Sequence, residues 1–250
     1  MFRHKGKYRT LRHNLRIASL LSFVAGMVNI VGFLAIHQLT TNVTGHFAFF
    51  VEEVYSLNTW RGLVYFLFVF FFFLGSFTSG VLIEFMNRKN ERYIFIIPVI
   101  LEALVLLFTG IFGEFILEKS ITYIAYSLLF AMGLQNALVT MISNSVVRTT
   151  HLTGLFTDLG IEIAQLFFFK TFSQKLKLYA SIKLRATIIL FFFLGGTLSS
   201  FAYSYFGLKL LILSALLLFF GLIYDQMRVG IKKVQRKLHQ KIRQDNHTGF

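Results

Sequence analysis

The residues best suited to chemistry fall in two threonine clusters. Residues 40–47 read Thr-Thr-Asn-Val-Thr-Gly-His-Phe and residues 149–156 read Thr-Thr-His-Leu-Thr-Gly-Leu-Phe, five of eight identical at an offset of 109. Each opens an apolar, helix-like stretch, 44–57 or 153–169, that is short for a membrane crossing. A helix beginning at Thr44-Gly45 or Thr153-Gly154 starts with four N–H groups that lack intrahelical partners. A threonine hydroxyl can cap one of them, and the glycine lets backbone or ligand approach closely. The helix dipole adds about half a positive charge at that end. Two such ends meeting in one place would suit an anion, or the electronegative part of a polar solute. Thr41, Asn42 and Thr150 add neutral polar groups to the same site. The plainer alternative is that these side chains only satisfy broken backbone in a medium without water.

Polar residues inside apolar stretches extend the candidate site. Asn29 lies in Gly26-Met-Val-Asn29 and Asn136 in Gly133-Leu-Gln-Asn136, equivalent places upstream of the two threonine clusters. With Gln135 they complete the solute-binding candidates; hydrogen bonding between helices is the competing role for both asparagines. Glu53 and Glu162 superpose at the offset of 109, and Asp158 sits one turn before Glu162 on the same helix face. Glu102 falls near the middle of an apolar stretch. Ionisable groups in a membrane are costly and usually functional, so Glu53, Glu102, Asp158 and Glu162 are candidates for proton or ion coupling. Buried alone, Glu102 would be protonated and able to carry a proton; paired with Arg148, it would be structural.

Other chemistry lacks its residues. The chain has no cysteine, which excludes disulfides, thiolate metal centres and a thiol nucleophile. His46 and His151 flank the threonine clusters without the spacing of a metal motif, and no catalytic triad or phosphate-binding glycine loop is visible. We expect neither enzymatic activity nor a cofactor.

The elements that must position these residues are membrane helices. Hydrophobic residues make up 56% of the 250, with 32 phenylalanines, only 14% charged residues and one proline; mean hydropathy is +0.67. That is too apolar for a soluble domain. The formal charge of +14 would elsewhere suggest nucleic acid. Here 21 of 25 basic residues fall in four blocks, within 3–16, 88–92, 170–185 and 228–243, flanking apolar stretches as cytoplasmic loops do. A basic N-terminus followed by an apolar run resembles a signal peptide, but 17–36 is long enough to span and further spans follow it.

Six stretches have spanning length: 17–36, 61–86, 93–117, 121–143, 185–206 and 208–227. If 44–57 and 153–169 also crossed, making eight, the basic 88–92 loop would face outward. The positive-inside rule therefore favours six spans plus two re-entrant half-helices, both termini cytoplasmic. The expected organisation is a basic N-terminus (1–16), a first repeat (17–120), a second repeat (121–227) and a basic tail (228–250). Phe-Phe-Phe-Leu-Gly recurs at 71–75 and 191–195, supporting the duplication. Three spans per repeat turn the second copy upside down, so the expected fold is an all-α polytopic membrane protein with an inverted 3+3 repeat, a recurrent transporter architecture.

Phe23-Val-Ala-Gly-Met-Val-Asn29-Ile-Val-Gly-Phe33 with Asn42-Val-Thr-Gly45, and Ala131-Met-Gly-Leu-Gln-Asn136-Ala137 with Val147-Arg-Thr-Thr150 and Thr157-Asp-Leu-Gly160, resemble the YoaK family. These are small bacterial inner-membrane proteins assigned to a domain of unknown function. The resemblance covers most of 15–225 and implies a bacterial cytoplasmic-membrane protein, without naming a substrate. Members commonly carry an acid where this chain has Asn29, and asparagine where it has His46, so any coupling to protons would differ here. The expected partners are the lipid bilayer and a small polar or anionic solute, not nucleic acid; a homo-oligomer is compatible. The leading reading is a secondary transporter or channel. The alternative is a non-transporting scaffold or lipid-interacting protein, which predicts a midplane filled with phenylalanine and no water-accessible cavity.

Overall fold

A computed structural model describes residues 10–89, 94–143, 145–168 and 171–245, with side chains up to Met227. Residues 1–9, Arg92, Lys170, the side chains of the basic tail and the end residues of the predicted 93–117 and 153–169 segments lie outside that description. The described residues form eight α-helices: α1 (Leu11–Ile36), α2 (Val43–Tyr55), α3 (Thr59–Lys89), α4 (Ile96–Lys119), α5 (Ile121–Ser143), α6 (Leu152–Phe168), α7 (Phe172–Phe206) and α8 (Leu210–Asp245).

Length separates two kinds of element. At about 1.5 Å per residue, the 13 residues of α2 reach well short of a hydrocarbon core about 30 Å thick. The 17 of α6 also fall short. Five segments are long and apolar enough to cross: α1, α3, α4, α5 and the stretch Phe172–Met227. That last stretch holds α7, a 3₁₀ turn at Gly207–Lys209 and the start of α8. Gly207, at φ 51° and ψ −137°, takes a conformation that a side chain would strain. α7 and α8 both pack against α1, so the chain folds back at this turn.

Three helices run well past their predicted ends, and the first of them, α1, begins at Leu11 rather than 17. α7 begins at Phe172 rather than 185, because Lys175, Lys177 and Lys183 are good helix formers with no glycine or proline among them. α8 continues through the basic tail to Asp245, where lysine, arginine and glutamine, all good helix formers, outweigh the single Gly230. Loops are pinned by left-handed residues at His37, Leu57 and Ser145.

Burial ranks the helices. Within their most apolar windows α1 is 67% and α5 61% buried, against 22% for α3, so α1 and α5 form the centre and α3 lies at the periphery. Phe66, Phe70, Phe73 and Phe77 give α3 an exposed stripe at helical spacing, a face fit for acyl chains. The central helices are each clamped by an outer one, α1 by α7 and α5 by α3. Glycines permit this approach: a Cβ on Gly26 would strike the Phe192 carbonyl, and one on Gly133 would strike that of Phe72. Gly195 and Gly75 are likewise closed off by the carbonyls of Phe23 and Phe130. Small residues that let helix backbones meet are the usual device where lipid removes the hydrophobic drive for association. Ser76 adds a hydrogen bond to the Gly133 carbonyl at 3.1 Å.

The two short helices are fastened by different means. α2 lies on α3 through rings: His46 on Phe68 at 5.1 Å, Phe49 on Tyr65 at 5.2 Å and Phe50 on Phe66 at 5.8 Å. α6 is tied to α7 by ions. Arg185 meets Asp158 and Glu162, each at 2.9 Å, and Ser181 donates to Glu162 at 2.5 Å.

Candidate functional site

A cavity of about 950 Å³ opens where α1, α2, α5 and α6 meet. The loops that return from α1 and α5 shape it. Thr41 donates its hydroxyl hydrogen to the amide oxygen of Asn29 at 2.9 Å, and Thr150 does the same to Asn136 at 2.6 Å. These bonds fold each threonine loop back along the helix it has just left. The starts of α2 and α6 are thereby held beside the asparagines, against the same cavity. Both amide oxygens are engaged, so each asparagine keeps an NH₂ group with no partner among the described residues.

The first turns of the half-helices supply further donors. Asn42 caps α2, its side-chain oxygen accepting from the Gly45 N–H at 3.0 Å. At α6 the corresponding residue is His151, whose ring lies where a Cβ on Gly154 would be. The expected threonine caps are thus corrected. At α2 the cap comes from the residue before the first turn, where the backbone is not yet helical and a short side chain reaches back over the open N–H groups. Thr44 and Thr153 lie inside the first turn and line the cavity.

Eight of the ten residues expected to bind solute share this cavity: Asn29, Thr41, Asn42, Thr44 and Gly45 from one half, Asn136, Thr150 and Thr153 from the other. Gln135 is elsewhere. Fully buried, it donates to the Leu21 carbonyl at 2.8 Å and to Thr149 at 3.2 Å, joining α5 to α1 and to the threonine loop. Gly154 borders a second cavity of about 670 Å³, between α6, α7 and the start of α1.

The four acids expected to couple ions do not gather. Asp158 and Glu162 are held by Arg185, and Asp158 borders the second cavity. Glu53 sits on α2 beside Gly62 of α3, without an ion pair among the described residues. Glu102 is completely buried on α4, and neither of its carboxyl oxygens has a hydrogen-bond partner. The alternative pairing with Arg148 does not form. His46 is buried, its Nε2 bonded to the Leu39 carbonyl at 2.7 Å, which serves the loop.

Arg148, His151, Thr140, Phe72 and Phe192 also line the central cavity, and the candidate set lacked them. Arg148 had a signal in the sequence: the offset of 109 places it opposite Leu39, immediately before the first threonine of each cluster. Phe72 and Phe192 are equivalent members of the Phe-Phe-Phe-Leu-Gly repeats and put one ring from each outer helix at the cavity. No acidic side chain lines it among the described residues. Hydroxyls, amide NH₂ groups, two helix N-termini and one guanidinium make it a donor-rich chamber with apolar walls.

The model of a family described as protein of unknown function (DUF1275) matches residues 17–224. This chain belongs to the DUF1275 family. The match takes in both threonine loops, both short helices α2 and α6 and the whole cavity lining. The family assignment agrees with the resemblance carried by the paired glycine–asparagine and threonine motifs. No curated protein and no solved structure shows significant similarity to the chain.

Proposed function

We propose that this DUF1275 member is a secondary transporter or channel for a small polar or anionic solute, in a bacterial cytoplasmic membrane and with both termini in the cytoplasm. It is not an enzyme on this reading, and its partners are the bilayer and the solute. α7 and α8 count as separate crossings, giving six, with α2 and α6 entering from opposite faces as half-helices. Reciprocal contacts support an inverted repeat: α1 on α7 matches α5 on α3, and α2 on α3 matches α6 on α7. The Asn29–Thr41 bond has its counterpart in Asn136–Thr150. Irregular backbone at membrane depth is tolerated where it lines a cavity, and half-helix N-termini facing a midplane site are a transporter arrangement.

The observation that carries the proposal is that both half-helix N-termini and both asparagine–threonine pairs face one cavity without an acid. A scaffold filled by phenylalanine would have no use for such a chamber. Proteoliposomes should show saturable solute uptake, and Asn29→Ala with Asn136→Ala should reduce it at least about tenfold, the worth of one or two charge-assisted hydrogen bonds. Uptake at the wild-type rate in the double variant would reject this site.

A further inference from the structure

Arg148 joins the two cavities. It borders the central chamber and the second cavity between α6, α7 and the start of α1, as does His151 three residues on. Its backbone is held on both sides. Val147 is fully buried and its N–H bonds to the Ser143 hydroxyl at 3.0 Å. Thr149 is fully buried and accepts from Gln135. Thr150 is fixed to Asn136. The Arg148 side chain itself is exposed and has no ion pair or hydrogen bond among the described residues.

The carboxylate that shares a cavity with it is committed elsewhere. Asp158, which shares the second cavity, is bound by Arg185, as is Glu162. Glu102 has no hydrogen-bond partner among the described residues. The other half of the repeat supplies no second cation, since Leu39 stands at the equivalent place and lines the same chamber. The chamber therefore pairs one fixed positive charge with neutral donors on one side and an apolar residue on the other.

Resting on the transport reading, we propose that the solute is a small monoanion. Its charged group docks on Arg148 between the amide NH₂ groups of Asn29 and Asn136, and it passes between the chamber and the second cavity along the Arg148 side chain. One guanidinium balances one negative charge. A dianion would carry a second into a chamber with no second arginine or lysine among the described residues, at a cost that grows where water is scarce. Formate, acetate and nitrate fit this description, and sulfate does not.

Two measurements separate the claims. In detergent, formate or nitrate should raise the melting temperature of the wild type. Arg148→Gln should abolish that rise while melting normally without anion, and Arg148→Lys should restore part of it. In proteoliposomes, formate uptake should exceed sulfate uptake and fall at least about tenfold in Arg148→Gln, as expected for losing a hydrogen bond to a charged group. Leu39→Arg should shift the preference toward sulfate. Equal formate stabilisation of wild type and Arg148→Gln would overturn the proposal, as would uptake of glycerol or urea without formate, which would leave the transport reading standing. Anion stabilisation lost in Arg148→Gln, with no uptake of any probe by wild type, would uphold the anion site and overturn transport.

Discussion

Asn29 and Asn136 each spend an amide oxygen on a loop threonine and keep a donor facing the chamber. The oxygen end of each side chain thus holds a threonine loop, and the amide end is the one available to the proposed solute. Thr150→Val should free the Asn136 oxygen and loosen the start of α6. A melting curve in detergent should show a loss of about 0.6–1.5 kcal/mol, in line with polar bonds between membrane segments. Glu102 presents the opposite situation, since both its oxygens are buried without partners. Leaving such a group unsatisfied costs about 1–3 kcal/mol, so Glu102→Met should raise the melting temperature. If the carboxyl couples protons, the same variant should lose the response of uptake to a pH gradient, a trade of stability against function. An unchanged or lower melting temperature would show that the site satisfies the carboxyl in another way.

Glycine decides how closely the helices meet. At Gly133 an added methyl group has the Phe72 carbonyl in its way, a rigid neighbour that cannot swing aside, whereas Gly80 on the neighbouring helix has open space around it. Gly133→Ala should therefore push α3 off α5 and destabilise by about 1–3 kcal/mol or more. Gly80→Ala should be neutral or stabilising by up to about 1 kcal/mol, from helix propensity alone. Similar melting temperatures for the two would contradict the close approach. The half-helices invite a second comparison. Arg185→Ala should speed hydrogen exchange in α6, whose ties to α7 are ionic, and leave α2, held by rings to α3, unchanged. Equal effects on the two would show that the ion pairs do not hold α6. Element identity was readable from the sequence because span length and hydropathy are local properties. The two short helices α2 and α6 were readable too, within a residue or two at their starts. The start of α7 was not: a run of lysines marks a loop near a membrane and a helix surface equally well, and only α7's continuation through Lys175 and Lys177 tells them apart.

For the molecule as a whole, the proposed inverted arrangement can be tested through sidedness. The chain is naturally free of cysteine, so single cysteines can be labelled without background. Cysteines at Asn58, Ser120 and Lys209 should react from outside the cell, and cysteines at Lys89 and Phe172 from the cytoplasm only. Reaction of 58 and 89 from one side would place α3 on the membrane rather than across it. The sequence by itself determined that this is a membrane protein, where its apolar segments lie and that its halves repeat, because composition, length and offset are carried along the chain. It also named eight of the residues around the central chamber, since the duplication marks the asparagines and threonines twice. Only the tertiary structure decided that Asp158 and Glu162 belong to Arg185, that Gln135 is buried against α1, and that Arg148 stands free between two cavities. Those outcomes depend on which helices press together, and that follows from the glycine-mediated contacts of α1 with α7 and α3 with α5, between residues far apart in the chain.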